Sequence, residues 1–140
     1  MMLQFDACLK EGLAKRQQPD RRQALSLMAK ADLRLAYAKS RQVEEKTAQF
    51  AFEDAYDVMR EAGTALMVLR GFKPLSHDAV ISFLRDREEL SQADAETFDR
   101  FRRLRNKSLY EAQRVSRATA EEALQFAEDI LGKLKLRLQP

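Results

Sequence analysis

The sequence predicts an all-α fold: an up-and-down antiparallel four-helix bundle with short additional helices. Three observations carry that expectation. Ala, Leu, Arg, Lys, Gln and Glu abound while only four glycines and three prolines interrupt 140 residues, and those abundant side chains lose little rotamer freedom on a helix. Apolar residues, 45% of the chain, recur at helical spacing in most segments. No stretch alternates with period two, as a half-buried strand would.

The elements follow in order. Residues 1–18 are expected to form a short N-terminal helix, with Met2, Phe5, Leu9 and Leu13 on one face. Gln17-Gln18-Pro19-Asp20 breaks it, and Asp20 is placed to cap the next helix. That helix carries Leu25, Met28, Ala31, Leu35 and Ala38 on one stripe and should end near Ser40 or Arg41, with no Gly or Pro to force the stop. A third helix, residues 44–70, has the stripe Ala51, Ala55, Val58, Ala62, Leu66 and Leu69, widened by Phe52, Tyr56 and Met59. So broad a face predicts a central helix packed on more than one neighbour. Gly71 suits its left-handed cap and Pro74 forbids continuation. Ser76 can cap a shorter helix to about Arg87. Ser91 with Asp94 resembles a capping box opening a helix that turns Phe98, Phe101 and Leu104 inward. Thr119 with Glu122 forms a second such box, starting a last helix with Ala123, Ala127, Ile130, Leu134 and Leu138. Residues 1–140 are expected to be one domain, with the core bundle over 20–138.

Composition excludes several function classes. A lone Cys8 permits no intrachain disulfide, and one His with one Cys cannot furnish a usual zinc site. No Gly-rich phosphate loop occurs. The longest purely apolar run, residues 65–69, is far short of a membrane span. The N-terminus lacks a secretory pattern, so a cytoplasmic protein without cofactor or metal is expected. His77, beside Ser76 in a helix cap, reads as a first-turn surface or packing residue. The acidic side of the third helix (Glu44, Glu45, Glu53, Asp54, Asp57, Glu61) reads as a solvated face that also pairs with basic neighbours.

The informative stretch is residues 98–117, FDRFRRLRNKSLYEAQRVSR. Seven basic residues, Arg100, Arg102, Arg103, Arg105, Lys107, Arg114 and Arg117, stand against Asp99 and Glu111, a local +5 that exceeds the chain's +3. Guanidiniums so clustered can grip phosphates bidentately and release counterions. They can equally pair with the acidic side of the third helix, and charge alone leaves both open. Tyr110 adds a stacking face or a hydroxyl.

Three blocks in succession, FEDAYDVMREAGTALMVLRGFKP, LSHDAVISFL and RLRNKSLYEA, the last followed by TAEEALQFAEDIL, resemble small prokaryotic HEPN proteins. The resemblance covers about residues 20–138. It implies a helical bundle that usually dimerises, with two copies of an Arg-containing motif facing one cleft. Many members are metal-independent ribonucleases, and many accompany a minimal nucleotidyltransferase in toxin–antitoxin pairs. Arg105-Asn106 matches the start of the family's Arg…His motif. Position 110 holds Tyr where the motif has His, as is common in the branch this chain most resembles. The resemblance therefore implies an RNA- or nucleotide-binding homodimer with a degenerate ribonuclease motif. Arg105 and Tyr110 are the candidate catalytic pair, and Arg102, Arg103, Asn106, Lys107 and Arg114 the candidate binding residues. Tyr110 could also accept a nucleotide from a partner nucleotidyltransferase. A phenol with an ordinary pKa of about 10 is a poor base near neutrality, so binding is expected ahead of turnover. Two alternatives stand beside this: an active endoribonuclease using Arg105 and Tyr110, and a non-catalytic scaffold or antitoxin partner.

Overall fold

The computed structural model describes residues 2–111 and 114–139. Ala112, the last residue of the third HEPN-like block, lies outside them. Six α-helices dominate: α1 (Phe5–Lys10), α2 (Arg21–Lys39), α3 (Ala48–Arg70), α4 (His77–Asp86), α5 (Gln92–Tyr110) and α6 (Arg117–Leu138). Two three-residue strands, β1 (Ala14–Arg16) and β2 (Phe72–Pro74), pair antiparallel with Ala14 opposite Pro74 and Arg16 opposite Phe72. The fold is mostly helical, as expected, with a small sheet that the sequence did not announce.

α3 lies at the centre, packed on both α2 and α6, which also touch each other. Its Phe52, Tyr56, Met59, Leu66 and Met67 are fully buried. Each such side chain contributes roughly 1.5–3 kcal/mol on leaving water. Met28, Ala31 and Leu35 face it from α2, and Ala127, Ile130 and Leu134 from α6. The alanines let these backbones approach. α4 packs on α1, α3 and α5. Below it, Phe5 meets Phe72 and Phe83 edge-on, at centroid distances of 5.0 and 5.3 Å.

Several boundaries depart from the periodicity. The first helix stops at Lys10 rather than running to residue 15, because Gly12 takes φ +77° and turns the chain into β1. β1 finds its partner 58 residues away, a pairing that local pattern cannot reveal. Leu25 is 46% exposed, while Ala24 occupies the buried register on α2. α2 ends at Ser40, and a 3-10 turn (Glu45–Thr47) precedes α3, so the two helices do not run together. Gly71 does end α3 in the left-handed region (φ 92°). A Cβ there would also stand 3.1 Å from the Gln17 carbonyl oxygen. Asp20, Ser76 and Ser91 cap as expected, accepting from the Gln23, Ala79 and Asp94 amides. α6 begins three residues earlier than the Thr119 box implies. Ser116 is the cap, its hydroxyl accepting from the Thr119 N–H at 3.1 Å.

Candidate functional site

α5 is rotated by its buried aromatics. Phe98 packs edge-on to Tyr56 at 5.9 Å between centroids, and Phe101 does the same to Phe52 at 6.1 Å. One turn on from each, helical geometry puts Arg102 and Arg105 beside that buried stripe. Arg102 is accordingly drawn in. Its Nε donates to Asp99 at 2.8 Å and its Nη1 lies 3.2 Å from Asp78 of α4. Arg103 reaches the other Asp99 oxygen at 3.3 Å, Arg100 pairs with Glu122 and Arg117 with Glu121. The basic stretch is thus neutralised in large part, though not by the acidic side of α3. Three of those acids are taken by α2: Arg34 bonds buried Glu61 at 2.8 Å and lies 3.7 Å from Asp54 and 3.9 Å from Asp57.

Arg105 is the exception within this cluster. It is half-buried, and its guanidinium carbon sits 5.4 Å from the centre of the Tyr56 ring, a cation–π contact. Among the described residues no ion pair joins Arg105, Lys107 or Arg114 to a carboxylate, and the latter two are exposed. Asn106 is half-buried beside Arg105. Tyr110 closes α5 at 82% exposure. Five helical residues place it about 140° around and about 7.5 Å along from Arg105. Within one protomer the two do not share a face. Tyr110 instead follows Arg103 and Lys107 on the outer side of α5, next in sequence to exposed Leu109.

On its inner side Arg105 meets residues to which the sequence assigned no such role. The Tyr56 hydroxyl lies 3.3 Å from His77 Nδ1, in the first turn of α4. Burial, ahead of the opposing effect of Arg105 and Arg102, pushes the Tyr56 phenol up to about 12. It therefore stays protonated; a neutral phenol can donate to Nδ1 or accept from it, and where it donates the imidazole proton sits on Nε2. Burial first, then the guanidiniums of Arg60 and Arg105, lower the His77 pKa against the pull of Asp57 and Asp78. Arg60, one turn after Tyr56, keeps Nε buried without a partner, while its Nη2 lies 3.5 Å from Asp57. The sequence signals were present, namely the only histidine at a helix start and an Arg four residues beyond a core Tyr. Their convergence needed α4 to be laid across α3. Among the described residues no three His, Cys, Asp or Glu side chains gather as metal ligands, and no helix is long and apolar enough to cross a membrane.

A family model described as the HEPN domain matches residues 23–137. Neither a curated protein nor a solved structure matches the chain. That match spans α2 through most of α6 and takes in the Arg105-bearing helix with the central helix on which it packs, so the chain belongs to the HEPN domain family.

Proposed function

We propose that this protein binds RNA or nucleotides through α5, with Arg105 as the principal phosphate contact. The carrying observation is the position of Arg105: half-buried, its guanidinium carbon 5.4 Å from the centre of the Tyr56 ring, and paired with no described carboxylate while Arg100, Arg102 and Arg103 are each paired. A guanidinium so placed keeps its charge and donors for an incoming phosphate. Asn106 adds a polar contact beside it. Lys107 and Arg114 steer from the rim, and Arg102 and Arg103 hold the helix surface through Asp99. In this reading α2, α3, α5 and α6 form the family's antiparallel bundle, and residues 20–138 act as one unit.

Two copies complete the site. The exposed apolar side chains of Phe50 and Leu109 border a cleft of about 400 Å³ that Arg114 also lines. Covering them with a second protomer would bring two α5 C-termini, and two Tyr110 rings, toward one groove. Tyr110 then stacks on a base, or accepts a nucleotide from a minimal nucleotidyltransferase in a toxin–antitoxin module. Endoribonuclease action by Arg105 and Tyr110 requires that second copy, because one protomer separates them.

Binding of a labelled single-stranded RNA, followed by fluorescence anisotropy at low and moderate salt, tests the reading. Arg105→Ala should weaken binding about tenfold or more, the effect of losing one charge-assisted contact. Salt-sensitive binding that this substitution leaves intact would overturn it. Incubation with RNA and a chelator from neutral to alkaline pH tests the endoribonuclease alternative. Tyr110-dependent cleavage would establish it. A second reading, a protein-interaction scaffold, is favoured by the internal pairing of Arg100, Arg102, Arg103 and Arg117. It predicts no RNA binding even at low salt and a stable complex with a nucleotidyltransferase.

A further inference from the structure

Beside the Tyr56–His77 contact, α3 and α4 enclose a cleft of about 180 Å³. Arg60 and Thr64 line it from α3, Ser76 and His77 from the start of α4, and Leu75 and Val80 supply apolar wall. No carboxylate lines it. The polar groups are a guanidinium, an imidazole and two hydroxyls, so the cleft is rich in donors and poor in fixed negative charge. The Ser76 oxygen already accepts the Ala79 amide as helix cap, which leaves its proton available to donate. The ten-residue α4 directs its N-terminus to the same place, adding partial positive charge.

The imidazole is oriented for this use. Its Nδ1 lies 3.3 Å from the Tyr56 hydroxyl; in the tautomer in which that hydroxyl donates, the opposite edge of the ring carries the Nε2 proton, and Nε2 has no hydrogen-bond partner among the described residues. Of the nearby acids, Asp78 is paired with Arg102, while Asp57 lies 3.5 Å from Arg60 Nη2 and 3.9 Å from Arg34, so it offsets part of the Arg60 charge without lining the cleft. The space suits a single phosphoryl group and is too small for a nucleoside.

We propose that this cleft is a phosphate-binding subsite in which Arg60, His77 Nε2–H and the Thr64 and Ser76 hydroxyls donate to one phosphoryl group of a nucleotide or RNA strand. The ligand class rests on the nucleotide-handling reading; the cleft's geometry does not. Arg105 lies next to it across the Tyr56 ring, so a strand held by Arg105 could pass a neighbouring phosphate into the cleft.

The chain holds a single histidine, so the imidazole resonance in an NMR spectrum belongs to His77 alone. Titrating the intact protein with inorganic phosphate should shift that resonance saturably. It should also raise the pH at which the ring titrates, because a bound dianion favours imidazolium in a setting otherwise formed by Tyr56, Asp57 and Arg60 of α3, Arg102 and Arg105 of α5, and Asp78 of α4. Adenosine monophosphate should act alike. An unphosphorylated oligoribonucleotide that produces the same shift identifies backbone phosphates as the source, and one that produces none identifies a terminal phosphate. Arg60→Gln should weaken the phosphate effect about tenfold. An imidazole that titrates identically in phosphate and chloride overturns the subsite, as does acetate matching phosphate at equal concentration. The wild-type titration decides the matter even if Arg60→Gln fails to fold. Loss of RNA binding in Arg105→Ala alongside an unresponsive His77 would remove the subsite and leave the RNA reading standing. A responsive His77 with RNA binding indifferent to Arg105 would do the reverse.

Discussion

Glu61 is 3% exposed inside α3, and what makes it tolerable is Arg34, whose Nε donates to it at 2.8 Å while Lys30 stands 3.2 Å away. Burial alone would raise the Glu61 pKa. The two cations outweigh it and the carboxyl is held below its ordinary 4.5. A carboxyl depressed in the folded state adds stability above its unfolded pKa and loses it as pH falls through the folded value. Unfolding measured by urea should therefore become easier below about pH 4.5, and Arg34→Gln should flatten that dependence. The same substitution should cost about 3 kcal/mol near neutrality, the low end for breaking a buried pair because Lys30 remains. His77 works in the opposite sense. Its charged form is disfavoured in the fold, so the unfolded chain binds the proton first, and stability in chloride buffer should decline as pH drops through about 6.5. His77→Gln should remove that decline, and thermal unfolding across pH 5.5–7.5, a span set by the ordinary histidine range, measures it.

At the scale of elements, positions are set by caps and close approaches. The Ser116 hydroxyl caps α6 by accepting from the amide three residues on, that of Thr119. Ser116→Ala should cost about 1 kcal/mol and Thr119→Ala distinctly less, read as a difference in urea midpoint. Thr119 lends only its side-chain oxygen, 3.0 Å from Ser116 Oγ. α4 reaches α3 over Gly63, where a Cβ would come within 2.6 Å of Val80 Cγ1. Gly63→Ala should destabilise by about 1–3 kcal/mol through overpacking, and Val80→Ala on top of it should recover part of the loss. Because α4 carries His77, the same substitution should perturb the imidazole resonance, whereas a cap deletion on α6 should not.

For the molecule as a whole, charge placement matters more than the net +3. Arg105, Lys107 and Arg114 sit on or just beyond α5 without described carboxylate partners, so RNA affinity should fall with rising salt. On a single strand each lost contact should reduce the slope of log K against log salt by about 0.7, and Arg105→Ala tests one such step. Taken by itself, the sequence determined the helical class, the central place of α3 and its stop at Gly71, three of the helix caps, and the HEPN family. These rest on local rules, since 3.6-residue periodicity, capping hydroxyls and a left-handed glycine are all written within a few residues of one another. The basic run is also visible without a fold, and the resemblance to the family motif pointed within it to Arg105. Only the tertiary structure decided which of those arginines are neutralised, that β1 pairs with β2, and that His77, Tyr56 and Arg60 meet. Each of these depends on the approach of groups from separate elements, and Coulomb and hydrogen-bond energies fall off within a few ångströms, a distance that chain order does not encode.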